Sequence, residues 1–265
     1  MTPACLSAEL VRRHLATSRF GSEVRVVAET PSTIDLAWQW LRCGGPDGGV
    51  VIAERQTAGR GRLGRAWASP RGGLWMSIAC RPRMPAVAAG RLGAAVAIAA
   101  AEAVAEAASA RTGVRWPNDV ILAGRKVGGV LAETEVRGGE TTAAVLSLGL
   151  NVNLQADQLP EEVRDTATSI LRETGKSTPI EVMAGRVLDR LAAWWPEALA
   201  GGDALARRWA ELDVLAGRQV MIRAGGTTLT GVGEGIDRNA CLLLVTSEGR
   251  RNLTTGEVEM LRGNA

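Results

Sequence analysis

Tyrosine is absent from this 265-residue chain, phenylalanine occurs once, and the only histidine is His14. A lone histidine in an N-terminal helical stretch is more often a packing or surface residue than a catalyst, which argues against mechanisms built on a histidine base. Cys5, Cys43, Cys80 and Cys241 are isolated, with no C-x-x-C pair, so neither structural zinc nor a disulfide framework is expected and a reducing compartment is. Lysine is nearly missing: of 31 basic residues only Lys126 and Lys176 are not arginine. Coding bias is the ordinary explanation, but it makes each remaining lysine worth asking about. Acid is missing locally, since no Asp or Glu lies between Glu54 and Glu102. Long apolar runs are also lacking. The longest without charge, "LGAAVAIAAA" (92–101), is about half the length needed to cross a bilayer, and the N-terminus carries no secretory signal. These absences point to a cytoplasmic protein with no membrane partner.

What is present is ordinary for a folded chain: 46% apolar, 22% charged, and a net charge of +3 that is too small to imply a polyanion partner. Apolar periodicity predicts helices over 7–16, 34–42, 86–110, 166–174, 180–200 and 203–213. Strands are predicted over 23–29, 48–55 and 72–81, around 114–116, in a hairpin turning at Gly124-Arg125, and over 141–153. After Gly217 short alternating segments separated by "GG", "DRN" and "SEG" turns predict a small antiparallel barrel of about 45 residues. The expected domains are 1–215 and 216–265.

The stretch "ERQTAGRGRLGRAW" (54–67) satisfies G-x-G-x-x-G at Gly59, Gly61 and Gly64. A dinucleotide turn needs a helix at the motif and an acid about 20 residues on. Here "RAWASPRGG" follows, broken by Pro70, Gly72 and Gly73, and no acid answers it. A P-loop is excluded because no Gly-Lys-Ser/Thr ends the stretch. What remains is a segment, 55–101, with eight arginines and no acid. The glycines read as giving mobility, and guanidinium forks suit carboxylate and phosphate oxygens. An anionic ligand enclosed by a loop is one reading, a solvated basic loop is another, and RNA or DNA stays open at this point.

Three further motifs carry polar groups. "RWPND" (115–119) offers an amide beside a carboxylate, or is simply a turn. "GRKVGGVLAE" (124–133) places Lys126 at a strand start before Gly128 and Gly129, which allow close approach to the backbone. "GLNVN" (149–153) ends a strand with Asn151 and Asn153, as strand terminators or ligand contacts. Arg and Lys for negative charge, Asp119 as a base or metal contact, and Trp67 as a stacking surface suit nucleotide-dependent acyl activation. With no nucleophile–base pair, catalysis rests on positioning and charge stabilisation.

In their order and spacing, "E-x-Q-T-A-G-R-G-R-L-G-R-x-W", "W-P-N-D", "R-K-x-x-G-x-L-x-E" and "G-L-N-V-N" make the chain similar to the biotin protein ligases from about residue 24 onward. The resemblance implies an α+β catalytic domain with a mixed β-sheet, related to class II aminoacyl-tRNA synthetases, and a small C-terminal SH3-like β-barrel. It implies that biotin and ATP, with Mg2+, give biotinyl-5′-AMP, and that biotin then passes to one lysine of a biotin carboxyl carrier protein or domain. Catalytic roles fall by resemblance on Lys126, Arg62 and Asp119. Biotin binding falls on Ser32, Thr33, Gln56, Gly59, Arg60, Gly61, Arg62, Lys126, Gly129 and Gly149. Adenylate binding falls on Arg62, Arg65, Trp67, Asn118, Lys126 and Asn151, and no side chain is assigned to a metal.

The chain departs from the family at Ile34, where an asparagine usually follows the Ser-Thr pair. About 23 residues precede the first predicted strand, too few for the helix-turn-helix domain of regulatory members. A monofunctional enzyme without a nucleic-acid partner is therefore expected, and a homodimer is compatible with the resemblance. Lipoate and octanoate enzymes of the same superfamily typically carry His-Asp in this loop, which a chain with His14 alone cannot supply.

Overall fold

The computed structural model describes residues 6–260, so the expectation for Cys5 lies outside the described residues. Ser7 caps a short helix, Ala8–Arg13 (α1), by accepting from the Leu10 N–H at 3.2 Å. The helix predicted over 7–16 is therefore trimmed at both ends. Val24–Thr30 (β1) follows, then Thr33–Arg42 (α2), Gly49–Gln56 (β2), Leu74–Cys80 (β3) and the two-residue Met84–Pro85 (β4). After Gly90–Ala108 (α3) come Thr112–Arg115 (β5), Asp119–Leu122 (β6), Arg125–Arg137 (β7) and Glu140–Leu150 (β8).

These strands form one mixed sheet in the order β1-β2-β3-β8-β7-β6-β5, with β4 beside β8. β1 pairs with β2 in parallel and the other pairs are antiparallel. The run "GVVIA" of β2 is apolar at every position because both of its faces are covered. Val50 and Ile52 point into the main core under α3, whereas Val51 packs with Ile34, Trp38 and Leu41 of α2 on the other face. Alanine favours the helix and keeps it slim, so α3 lies close on the sheet with Leu92, Val96, Ile98 and Val104 fully buried. By length and hydropathy the helical run Ala86–Ala108 that contains α3 could cross a membrane, yet 72% of its apolar stretch is buried inside the fold.

Three helices complete this half: Ile170–Thr174 (α4), Ile180–Ala200 (α5) against α3, and Asp203–Leu212 (α6). The helix predicted from 166 begins only at Ile170. Ala167 instead makes a bridge with Lys126, and Ser169 caps α4 by accepting from the Arg172 N–H at 3.0 Å. The hairpin turn also moves by one residue. It is Ala123-Gly124, both at positive φ (49° and 77°) as a tight two-residue turn demands, and Arg125 is already in β7. The strand expected to reach 153 stops at Leu150.

The remaining strands are Gln219–Ala224 (β9), Thr227–Ile236 (β10), Leu242–Thr246 (β11), Gly249–Leu253 (β12) and Glu257–Met260 (β13). They form a separate antiparallel sheet in the order β12-β11-β10-β9-β13.

Asp213 sits where the chain leaves α6 for this second sheet. Its Oδ1 accepts from the Leu215 N–H at 2.8 Å, while Oδ2 is buried near the Trp209 indole. Burial pushes the carboxyl up from its ordinary 3.8 to about 6, and the Leu215 N–H and the Trp209 indole pull it only partly back. An acid raised in the folded state stabilises the fold below its unfolded value, and that contribution is lost as pH climbs through about 6. Asp213→Asn should therefore gain about 1–3 kcal/mol relative to wild type between pH 4 and pH 7. Urea unfolding at the two values checks this; a constant difference would remove the assignment.

Candidate active site

A cavity of about 620 Å³ lies between the Arg-Gly stretch, the end of β2, the neighbouring strands β7 and β8, and the 159–167 segment. Its floor is nearly free of side chains because Gly129 and Gly149 are register partners on β7 and β8. Trp67 lies over this floor: a Cβ on Gly149 would come within 2.6 Å of its Nε1. That Nε1 is buried and has no hydrogen-bond partner, and the Lys126 Nζ is 5.1 Å from the ring centroid.

Lys126 owes its place to a bulge. Val120 pairs with Gly128 but Ile121 pairs with Lys126, so Val127 is an extra residue in β7. Lys126 thus stands opposite Ile121, two residues along the same face from Asp119. Its Nζ reaches the Asp119 Oδ1 at 2.5 Å, and the Arg115 guanidinium takes Oδ2 at 2.6 Å. Its backbone is bound to Thr166 and Thr168, each at 2.8 Å. With both oxygens of Asp119 held by cations, that carboxylate anchors Lys126 rather than standing free as a base. No group of three His, Cys, Asp or Glu side chains placed to hold a metal occurs among the described residues.

At the other end of the cavity polar side chains satisfy one another. The Gln56 Oε1 accepts from the Thr33 N–H at 2.8 Å and from its hydroxyl at 3.1 Å, and the Gln56 Nε2 donates to the Ser69 Oγ at 2.8 Å. The Thr33 hydroxyl continues to Ser77 at 2.7 Å, and Ser77 to Ser147 at 2.9 Å. Neutral hydroxyls buried beside an apolar wall, to which Ile34 contributes, fit an uncharged polar group better than an ion.

Fourteen of the fifteen sequence-predicted site residues line this cavity: Thr33, Gln56, Gly59, Arg60, Gly61, Arg62, Arg65, Trp67, Asn118, Asp119, Lys126, Gly129, Gly149 and Asn151. Ser32 does not; its hydroxyl accepts from the Ile34 N–H at 3.3 Å as the N-cap of α2. Asn118 and Asn151 are partly committed, donating to the Val130 and Thr168 carbonyls at 2.8 and 2.9 Å. Asn153, left open between two roles, ties the chain to Thr178 and does not line the cavity. Arg115, Ser147 and the Gly256–Val258 wall of the cavity were not foreseen, nor were Asp35 and Ser77, which hold Arg60 and Thr33 from behind it. Ser77 and Ser147 did leave a signal, as single hydroxyls inside the apolar runs "LWMSIAC" and "AVLSLGL".

The Arg-Gly stretch is not the loose basic loop its composition suggests. It is a hydrogen-bonded hairpin: the Gly61 N–H donates to the Arg65 carbonyl at 2.8 Å, and the Trp67 N–H to the Gly59 carbonyl at 2.8 Å. Most of the arginines in and just after it meet acids, all but Glu54 from distant parts of the chain. Arg55 pairs with Glu29, Arg60 with both oxygens of Asp35, Arg65 with Glu257 and Arg71 with Glu54. The Asp35 hydrogen bonds raise Arg60 above its ordinary value, and Arg60 in turn lowers Asp35. Arg62 forms no ion pair among the described residues. Burial lowers its pKa, against the pull of Asp119 and Glu257, though a guanidinium stays charged. Little of the stretch is left for a polyanion, whereas one half-buried cation faces the cavity.

Fold and site together define an α+β protein whose cavity sets an anchored lysine and a half-buried arginine where a small anionic molecule would fit. The profile of the biotin/lipoate A/B protein ligase family matches residues 26–153. The biotin–[acetyl-CoA-carboxylase] ligase of Mycobacterium tuberculosis is 35% identical over 248 residues, covering 91% of this chain and 90% of that one. The bifunctional ligase/repressor BirA of Bacillus subtilis is 30% identical over 260 residues, 97% of this chain and 80% of that one. Among solved structures, the biotin protein ligase from Aquifex aeolicus in complex with biotin and ATP is similar, with a TM-score of 0.77 at 26% identity. It covers 91% of this chain and 100% of that one. The chain belongs to the biotin/lipoate A/B protein ligase family and is a ligase.

Proposed function

We propose that this enzyme activates biotin with ATP, giving biotinyl-5′-AMP and pyrophosphate, and transfers biotin to a lysine of a biotin carboxyl carrier protein or domain. The observation that carries the reading is Lys126, fixed at 2.5 Å from Asp119 inside a cavity where Arg62 is the remaining unpaired cation of the hairpin. In the first step a biotin carboxylate oxygen attacks the α-phosphorus and the bond to pyrophosphate breaks. Two anions must meet, and fixed cations offset their repulsion most where charge builds up. In the second step the carrier amine attacks the activated carbonyl, AMP leaves, and the amine loses a proton.

The hydroxyl end, lined by Thr33 and Ser147 and joined through Ser77, suits the neutral ring of biotin, and the Lys126 end suits its carboxylate. Trp67 supplies a face for the adenine. Mg2+ would come with the nucleotide and offset phosphate charge, and no side chain among the described residues is assigned to hold it. On this reading residues 216–265 are an SH3-like C-terminal module, which the Gly256–Val258 wall of the cavity supports.

With [α-32P]ATP the protein should form a labelled adenylate with biotin and not with lipoate, and should then label a biotin carboxyl carrier domain. A preference for lipoate would overturn the assignment.

A further inference from the structure

Arg60, Arg62 and Arg65 lie within six positions of one another, yet the fold treats their charges differently. Arg60 is cancelled by Asp35 and Arg65 by Glu257. Arg62 hydrogen-bonds only neutral acceptors, with Asp119 and Glu257 acting on it from further off: its Nη2 donates to the Thr255 Oγ1 at 3.0 Å and its Nη1 to the Gly256 carbonyl at 3.4 Å. All three partners Thr255, Gly256 and Glu257 lie at the β12–β13 connection, and Thr255 is 193 residues from Arg62 in the chain.

That connection is itself held from beneath. A Cβ on Gly256 would come within 2.7 Å of Ile222 and 3.4 Å of the Trp116 ring. The Trp116 Nε1 in turn donates to the Ala240 carbonyl of the β10–β11 turn at 3.1 Å. A neutral acceptor orients a guanidinium without quenching its field, whereas a carboxylate does both.

We propose that the Thr255–Glu257 turn positions Arg62 for the nucleotide phosphates, aiming its charge into the cavity while Glu257 removes the competing charge of Arg65. This rests on the ligase reading. Thr255 acts only through Arg62 and is a positioning residue, not a catalytic one.

The test is biotin-dependent exchange of pyrophosphate into ATP, with biotin saturating and ATP varied. Thr255 is exposed, so Thr255→Val should fold normally. It is expected to raise KM for ATP about ten-fold, the scale of one hydrogen bond to a charged group, with kcat little changed. Thr255→Ser should restore the wild-type KM. In an Arg62→Ala background, Thr255→Val should add nothing further. An unchanged KM in the single variant, or an equal loss in the Arg62→Ala background, would overturn the proposal. A lower KM would also overturn it, by marking the contact as a clamp on the resting loop. Wild-type protein without biotin-dependent exchange would instead sink the ligase reading, and this proposal with it.

Discussion

Lys126→Ala is expected to cut biotin-dependent adenylate formation about 10²–10³-fold, the usual cost of losing one fixed group that stabilises transition-state charge. The fold should survive the change. Asp119 keeps its pairing with Arg115 at 2.6 Å, so no carboxylate is left buried and unpaired. The bulge at Val127 depends on backbone bonds to Thr166, Thr168 and Asn151, none of which needs the lysine side chain. Circular dichroism and the thermal midpoint should therefore stay near wild type. Supplying biotinyl-5′-AMP separates the steps, because transfer to the carrier should fall less than adenylation. Turnover close to wild type from biotin and ATP would remove Lys126 from the mechanism.

That lysine could be singled out from sequence because the chain has so few, whereas its anchor could not. Asp119 stood in "RWPND" as a base or metal contact, and nothing in the spacing told that Arg115 and Lys126 would each take one of its oxygens. The bulge that brings them together is a pairing event between two strands, invisible to a period-2 pattern read along one. The long elements were legible for the opposite reason. The alanine-rich helix, the doubly buried "GVVIA" strand and the change of texture after Gly217 each carry their signal locally, and only their ends shifted. Residues 166–169 were read as helix because their pattern is compatible with it, but Ala167 makes its bridge with Lys126 instead. Arginine composition misled for a similar reason. A segment of 55–101 without acid looks uniformly basic, yet Asp35, Glu29, Glu54 and Glu257 all reach it from outside.

The glycines of the hairpin give the second large effect, and they should not behave alike. Gly59→Ala is expected to lower kcat/KM for biotin about 10²-fold, as displacement of a ligand-holding segment by about 1 Å does. A Cβ at Gly59 would lie 2.4 Å from the Trp67 carbonyl oxygen, 2.6 Å from the Ser69 Oγ and 3.1 Å from the Gln56 Nε2. These atoms belong to the hairpin ladder and to the Gln56–Ser69 bond, so relief of the clash must move Trp67 or Gln56. Gly64 has open space around it but φ of +73°, so Gly64→Ala should cost about 1–2 kcal/mol of loop stability and only a few-fold in KM. Gly61 has neither constraint: its φ is −106° and a Cβ would meet the Arg65 carbonyl at an ordinary 3.5 Å. Gly61→Ala should be close to wild type. If the three glycines served to keep the stretch mobile, each alanine would stiffen it and the losses would be similar. Steady-state adenylation by the three variants, measured side by side, decides between the two accounts. Only the graded order 59, 64, 61 fits a hairpin whose glycines are fixed by close contact at one position and a left-handed turn at another.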